Sequence, residues 1–137
     1  MKKTLSAHAV IFSGDKVLVV RRSKTDVRRP LQWDLPGGIL EKGEELAEGC
    51  AREVQEESGI IIEPKELHLA YTTTSDFPVK GSVSWFIYVA STSGKEVQLS
   101  YEHDLFKWVT LPEAIELIEY ERFSKALRHI KETNLTP

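Results

Sequence analysis

The sequence has few cysteines and no long apolar segment. Cys50 is the only cysteine in 137 residues, which excludes an internal disulfide framework and favours a reducing compartment. No apolar run approaches the roughly 20 residues that a membrane-spanning helix needs. Residues 1–6 are short and polar and lack the long apolar region of a signal peptide. These absences predict a cytoplasmic protein that does not associate with membranes.

Positive charge is not in excess either. The chain has 18 basic and 21 acidic residues and a net charge of -3, so no general basic field would attract long nucleic acid. We find no internal repeat, low-complexity tract or linker. Hydrophobic residues make up 41% of the chain and charged residues 28%, as in ordinary globular domains. We therefore expect residues 1–137 to form a single domain.

The first half of the chain predicts a hairpin, a loop and a helix. Two β-branched runs, residues 8–12 and 16–20, flank a Gly14-Asp15 turn and predict a β-hairpin. Residues 23–32 are polar and basic and predict a loop, and residues 36–38, Pro-Gly-Gly, predict a break. Residues 44–58 predict a helix because apolar side chains recur at helical spacing. Gly59 follows where a C-cap glycine belongs.

The second half predicts short strands followed by two helices. Strands are expected at residues 60–62, 66–73, 83–90 and 106–110, an extended segment at 97–99, and a loop at 74–80. Pro112 begins a helix that runs to about residue 118, and residues 121–131 form the last helix. Strands around one central helix, with helices again at the end, favour a mixed sheet between helical layers.

The predicted central helix carries an acidic cluster at the edge of its apolar face. With about 100° of rotation per residue, Glu53, Glu56 and Glu57 lie within an arc of roughly 100°. Like charges this close repel each other, and a divalent cation would remove the repulsion. Acidic pairs on helices usually form only a solvated surface. Here the cluster adjoins the apolar face, and a glycine-rich segment precedes the helix, so a metal and phosphate site is favoured.

Residues 38–60 resemble the Nudix box. Every fixed position of that pattern matches: Gly38, Glu44, Arg52, Glu53, Val54, Glu56, Glu57, Gly59 and Ile60. The flanking segments, residues 33–38, Arg21-Arg22, and Trp108 followed by residues 111–114, are similar to MutT-like members. The resemblance therefore extends over nearly the whole chain.

The resemblance implies the Nudix fold, an α/β/α sandwich with a mixed β-sheet, and a hydrolase of diphosphate linkages. It implies that Glu53, Glu56 and Glu57, often with the backbone carbonyl of Gly38, hold Mg²⁺, with Mn²⁺ as the alternative metal. Glu44 resembles a residue that supports the geometry between loop and helix, often by pairing with the box arginine, here Arg52. Gly49 is a mid-helix glycine at a free position of the box and carries no expected role.

The general base and the substrate contacts lie partly outside the box. The base varies within the family between a box glutamate and a later acidic residue, and Glu102 is our choice within residues 101–104. An exposed polar loop is an equally good interpretation of that segment. His103 is a candidate for phosphate contact, but we favour its interpretation as an ordinary loop histidine. Arg22, Arg28 and Arg29 are candidate phosphate ligands, although each of the two loop arginines also suits a solvated loop. Phe77 is a candidate for base stacking, whereas Trp85 and Trp33 are interpreted as packing residues.

Several substrates remain open. We favour a MutT-like (d)NTP pyrophosphohydrolase that releases a nucleoside monophosphate and pyrophosphate. Dinucleoside polyphosphates, nucleotide sugars and ADP-ribose are the alternatives. A non-catalytic nucleotide-sensing module is disfavoured because every box carboxylate is present, and an EF-hand type Ca²⁺ module is disfavoured because the dense Asp/Asn loop is missing. The expected partner is a small nucleotide, and a homodimer, as in many relatives, is compatible with the sequence.

Overall fold

The computed structural model describes residues 2–137 and contains seven strands and three α-helices in that range. The strands are β1 (Lys3–Ser13), β2 (Lys16–Arg22), β3 (Trp33–Asp34), β4 (Gly37–Ile39), β5 (His68–Phe77), β6 (Gly81–Ser91) and β7 (His103–Thr110). The helices are α1 (Leu46–Ser58), α2 (Leu111–Leu117) and α3 (Glu121–Thr133), with a short 3-10 turn at Pro64–Glu66.

All seven strands belong to one mixed sheet. Its main order is β3-β2-β1-β6-β5, while β4 pairs with β1 and β7 pairs with β2. The β1–β6 pairing is parallel and runs from Lys3↔Ser82 to Phe12↔Ser91, whereas the other pairings are antiparallel. β1 is therefore the centre of the sheet, and its side chains reach both faces alternately.

The sheet lies between helical layers. Ala7, Ala9 and Ile11 of β1 pack in an apolar cluster with Cys50 and Val54 of α1. The alternate residues of β1 pack in a second cluster with α2 and α3, which contains Val10, Phe12, Ala114, Phe123, Leu127 and Ile130. This arrangement confirms the expected α/β/α sandwich with a mixed sheet.

The predicted hairpin and the three helices are present with small shifts at their ends. α1 begins at Leu46, two residues later than predicted, with Glu45 as its N-cap. Gly59 is the C-cap with φ 76°, a left-handed conformation that glycine adopts without steric cost. Thr110 caps α2 through a reciprocal pair of hydrogen bonds with Glu113, and Pro112 lies in the first turn.

Three predictions of local structure were wrong, and each concerns the pairing of strands. The Pro-Gly-Gly segment does not only break the chain: Gly37–Ile39 pairs with Ser6–His8 of β1. The predicted loop at 74–80 begins too early, because residues 74–77 pair with β6 and extend β5 to Phe77. Residues 60–62, predicted as a strand, have no strand partner among residues 2–137, although Ile60 and Ile62 are buried as an extended segment would bury them. Residues 97–99 were predicted only as an extended segment and also lie outside the sheet. No helix among the described residues is both long and apolar enough to cross a membrane.

Candidate active site

A cavity of about 1090 Å³ opens between the acidic side of α1, the strand ends and the beginning of α3. Nine of the predicted site residues line it: Arg22, Arg28, Arg29, Gly38, Glu44, Glu53, Phe77, Glu57 and Glu102. Arg52, Glu56 and Gly59 do not line it. The fold therefore brings residues that are up to 80 positions apart in sequence to one cavity.

The acidic helix presents two of its three carboxylates to the cavity. Glu53 and Glu57 are one turn apart, and Glu57 is 5% exposed. The side chain of Glu56 is 58% exposed and pairs with Arg52 outside the cavity lining. The sequence placed all three carboxylates in one arc of the helix, but only part of that arc faces the cavity.

Gly38 allows the carboxylate of Glu53 to approach the backbone. A Cβ atom added at Gly38 would lie 2.3 Å from Oε2 of Glu53, so any larger residue would displace that carboxylate. Burial raises the pKa of Glu53, and the negative charges of Glu56 and Glu57 raise it further, while Arg52 opposes the shift. Anionic Glu53 is therefore in a position where a bound cation would be favourable.

Arg52 ties the glycine-rich segment to α1. Its Nε and Nη2 atoms donate to the two oxygens of Glu44 at 2.6 and 3.0 Å, and its Nη1 atom donates to Glu53 and Glu56 at 3.0 and 3.1 Å. Glu44 also accepts from the backbone N–H of Glu41. The guanidinium holds the pKa of Glu44 at about 2. Arg52 thus fixes the position of Glu53 relative to the loop without lining the cavity itself.

The environment of Glu57 contains Ser100, which the sequence interpretation missed, and His103. Ser100 Oγ donates to Glu57 Oε2 at 3.0 Å, and His103 Nδ1 lies 2.9 Å from the same oxygen. His103 Nδ1 makes no hydrogen bond among residues 2–137, so its approach to Glu57 is a close contact that becomes an ion pair only with a protonated ring. His103 is 8% exposed and begins β7, so the ordinary loop histidine interpretation was wrong. The signal available in the sequence was its position just before the strand predicted at 106–110.

Glu102 lies next to this pair on the cavity wall. Its backbone carbonyl accepts from the N–H of Ser23, which ties the turn to the end of β2. Burial raises the pKa of Glu102, and the nearby charge of Glu57 raises it further.

The candidate phosphate-binding arginines are partly engaged with carboxylates. Asp34 is 2% exposed and accepts from Arg22 Nη1 at 2.8 Å and from Arg29 Nη1 at 2.7 Å. Arg22 also pairs with Asp26, whose carboxylate caps the backbone N–H groups of Arg28 and Arg29. Arg22 and Arg29 are thus held rigidly at the cavity wall with part of their charge compensated, whereas Arg28 is exposed.

Aromatic rings and a further guanidinium line the cavity near α3. Phe77 lies at the end of β5, where it is half-buried. Trp85 is 8% exposed, as a packing residue would be, but it also contributes to the cavity lining. Tyr120 and Arg122 also line it, and neither was singled out from the sequence. Their position follows from the packing of α3 on the sheet, which no local pattern encodes.

The donors at the acidic end suit a hard divalent cation. Glu53 and Glu57 supply carboxylate oxygens and Gly38 a backbone carbonyl, which are ligands of the kind that Mg²⁺ and Mn²⁺ prefer. Among residues 2–137, no three Asp, Glu, His or Cys side chains gather closely enough to enclose an ion by themselves.

Comparison with known proteins gives consistent matches. The NUDIX domain model matches residues 2–130. A MutT-like protein of Streptomyces ambofaciens is 34% identical over 110 residues, which are 80% of this chain and 65% of that protein. The chain therefore spans slightly less than two thirds of that relative. The asymmetrical bis(5'-nucleosyl)-tetraphosphatase of Caenorhabditis elegans is 31% identical over 102 residues, covering 72% of this chain and 73% of that protein. Among solved structures, a MutT protein from Methanosarcina mazei superposes with a TM-score of 0.82 at 28% identity, over 96% of this chain and 95% of that one.

Proposed function

The chain belongs to the Nudix family, and from this premise we propose that it is a metal-dependent hydrolase of a diphosphate linkage in a nucleotide. The substrate that we favour is a nucleoside triphosphate, cleaved to a nucleoside monophosphate and pyrophosphate as by MutT-like enzymes. The observation that carries the proposal is the shared cavity: Glu53, Glu57 and the backbone at Gly38 line the same cavity as the arginines and aromatic rings.

The acidic residues have distinct proposed tasks. Glu53 and Glu57, with the Gly38 carbonyl, would hold the cation, Mg²⁺ in our proposal with Mn²⁺ as the alternative. The cation would supply neutralisation of the clustered phosphate charge. Glu56 is proposed as an outer acidic residue that completes the site after a rotation of its exposed side chain. Arg52 and Glu44 keep Glu53 in place.

Hydrolysis requires a group that takes a proton from the attacking water. The water oxygen bonds to phosphorus, the bridging P–O bond breaks, and the bond electrons leave with the pyrophosphate. Glu102 is the proposed proton acceptor because it lines the cavity and its pKa is raised by burial, which strengthens it as a base. Glu53 is the alternative within the box.

Arg22, Arg28 and Arg29 are proposed to contact the phosphates. Arg28 is exposed and able to turn inward, and Arg22 and Arg29 have donors beyond those bound to Asp34. Phe77 provides a ring against which a nucleobase can stack. These four residues come from the end of β2, the β2–β3 loop and the end of β5, all outside the segment that carries the acidic residues.

The proposal is tested by a panel of diphosphate compounds with Mg²⁺, scored for phosphate and pyrophosphate release. The panel contains nucleoside triphosphates, a dinucleoside tetraphosphate, a nucleotide sugar and ADP-ribose. We expect pyrophosphate release from a triphosphate. Faster turnover of another compound would replace the favoured substrate, and no release from any compound would favour the sensing module.

Matched variants test the site. Glu53→Gln and Glu57→Gln should lower Mg²⁺-dependent turnover by about 100-fold or more, because each change removes a charged ligand. Glu48→Gln is the control, since Glu48 is an exposed residue of the same helix outside the cavity. Thermal unfolding of all three variants separates loss of the site from loss of the fold. Unchanged turnover in either cavity variant would refute the assignment.

A further inference from the structure

The guanidinium of Arg122 differs in its bonding partners from those of the other cavity arginines that are held in place. Arg22 and Arg29 each bond a carboxylate. Arg122 forms no ion pair within residues 2–137. Its Nη2 atom donates to the hydroxyl of Ser75 at 2.8 Å, while its Nε–H is buried without a hydrogen-bond partner among those residues. A positive group is thus placed at the cavity without an anion to neutralise it.

Stacking holds this guanidinium in a defined place. The Cζ atom of Arg122 lies 4.1 Å from the ring centroid of Trp85 and 5.7 Å from that of Tyr120. The Cζ atom of Arg29 lies 3.7 Å from the ring centroid of Tyr120, and buried Asp34 fixes Arg29 through two hydrogen bonds. A continuous series of contacts therefore leads from Asp34 through Arg29 and Tyr120 to Arg122, which also packs on Trp85. These contacts pre-organise Arg122 and so lower the conformational entropy that its side chain loses when it binds a ligand.

The chemistry offered at this place is hydrogen-bond donation beside aromatic rings. A guanidinium has five N–H donors and no acceptor. One donor of Arg122 is used by Ser75 and the Nε–H is buried, which leaves three for a ligand. Lys80, whose Nζ lies 5.4 Å from the Phe77 ring centroid, is likewise only a donor. A matching ligand is flat and presents adjacent acceptors.

Nucleobases differ in this property. Guanine and hypoxanthine present O6 and N7, two adjacent acceptors that a guanidinium contacts with two hydrogen bonds. Adenine presents N7 beside the N6 amino group, a donor that opposes the donors of Arg122. The structure thus favours a 6-oxopurine over a 6-aminopurine at this part of the cavity.

We propose that Arg122 is a specificity-determining residue that selects 6-oxopurine nucleotides over 6-aminopurine nucleotides. The inference rests on the proposed function in so far as the cavity is a nucleotide site. Trp85 and Ser75 act as positioning residues that keep the planar fork of Arg122 at the cavity wall. The side chain belongs to α3, outside the segment that carries the acidic residues.

The test measures binding of inosine and adenosine monophosphates by calorimetry in EDTA. The two nucleotides differ at position 6 of the ring and in the proton on N1, and no hydrolysis or metal is needed. We expect the folded protein to bind the inosine nucleotide about tenfold more tightly, within the range of discrimination that a two-bond arginine contact provides. Arg122→Gln should reduce the preference to about twofold or less.

Two further variants separate geometry from charge and from folding. Arg122→Lys keeps the positive charge but loses the planar fork of the guanidinium. This variant should therefore lose most of the preference for the inosine nucleotide, while its affinity for each nucleotide falls only slightly. Arg128→Gln is the matched control, because Arg128 is an exposed residue of the same helix, and it should retain the preference. If Arg122→Gln fails to fold, the lysine variant decides the question.

The possible results are distinguishable. Equal binding of the two nucleotides, tighter binding of the adenosine nucleotide, or no binding of either would overturn the inference. A preference that persists in Arg122→Gln and Arg122→Lys, with only a lower unfolding temperature, would show that Arg122 is purely structural. Preference for the inosine nucleotide without hydrolysis of any triphosphate would support the subsite and refute the proposed reaction. Triphosphate hydrolysis without a base preference would support the proposed reaction and refute the subsite.

Discussion

Gly38→Ala should lower turnover strongly while leaving the fold nearly unchanged. The added Cβ would lie 2.3 Å from Oε2 and 2.6 Å from Cδ of Glu53. Ordinary contact between such atoms begins near 3.5 Å, so the carboxylate must move by about 1 Å. Gly38 has no left-handed backbone conformation that alanine would strain. The displaced atoms are also the far end of a side chain, so the fold can relax.

The expected magnitude follows from that displacement. A misplacement of about 1 Å in a catalytic site can cost on the order of 100-fold in rate. The change in the free energy of unfolding should stay within about 1 kcal/mol, because alanine restricts the unfolded chain more than glycine does and offsets part of the strain. Gly94→Ala is the matched control, since the nearest atom to its added Cβ would be 3.9 Å away.

The assay is a double-mutant cycle of Gly38→Ala and Glu53→Gln, with kcat and the free energy of unfolding measured for each protein. If alanine acts by displacing the Glu53 carboxylate, it should cost little once that carboxylate is gone, so the two losses should not add. Full turnover in Gly38→Ala would contradict the close approach of Glu53. Additive losses would show that Gly38 acts through another route.

Three further predictions concern charge. Asp34→Asn should lower the free energy of unfolding by about 3 kcal/mol in denaturant titration, because a buried partner of Arg22 and Arg29 is lost; a change below about 1 kcal/mol would mean that water compensates. Burial lowers the pKa of His8 below its value in the unfolded chain. As the pH falls, the unfolded state therefore binds the proton before the folded state does. The contribution of His8 to the free energy of unfolding is thus present above pH 6.5 and is lost as the pH falls below it. His8→Gln should therefore flatten the decline in unfolding temperature between about pH 7.5 and 5.5, and an equally steep decline would exclude His8 as its cause. Glu102→Gln should change the acidic limb of the pH–rate profile, because the base must be deprotonated to act and burial raises the pKa of Glu102 above its ordinary value; an unaltered profile would remove Glu102 as the base.

The acidic helix illustrates what a local pattern can predict. The spacing of Cys50 and Val54 defined the buried face of α1, and the same helical geometry placed Glu53 and Glu57 at its edge. Both results depend only on the rotation per residue. The pattern could not show that Glu56 points away from the cavity and pairs with Arg52, because a cavity wall is formed by other elements.

Strand ends were harder to predict than helices. Residues 37–39 and 74–77 have polar, glycine- or serine-containing sequences that favour loops, yet both pair with neighbouring strands. The strand partners of residues 37–39 lie 29 to 33 positions away along the chain, and those of residues 74–77 lie 4 to 10 positions away. The stabilising interaction is therefore not visible in either segment itself.

By itself, the sequence determined the family, the layered α/β fold and the helix that carries the acidic residues, because these depend on local periodicity and on a motif of fixed spacing. Only the tertiary structure decided which of those residues share a cavity and what faces them. It placed His103 beside Glu57, tied Arg22 and Arg29 to buried Asp34, and stacked Arg122 on Trp85. These contacts join residues from 5 to 46 positions apart, and they exist because the packing of helices on both faces of one sheet brings the ends of separate elements to the same cavity.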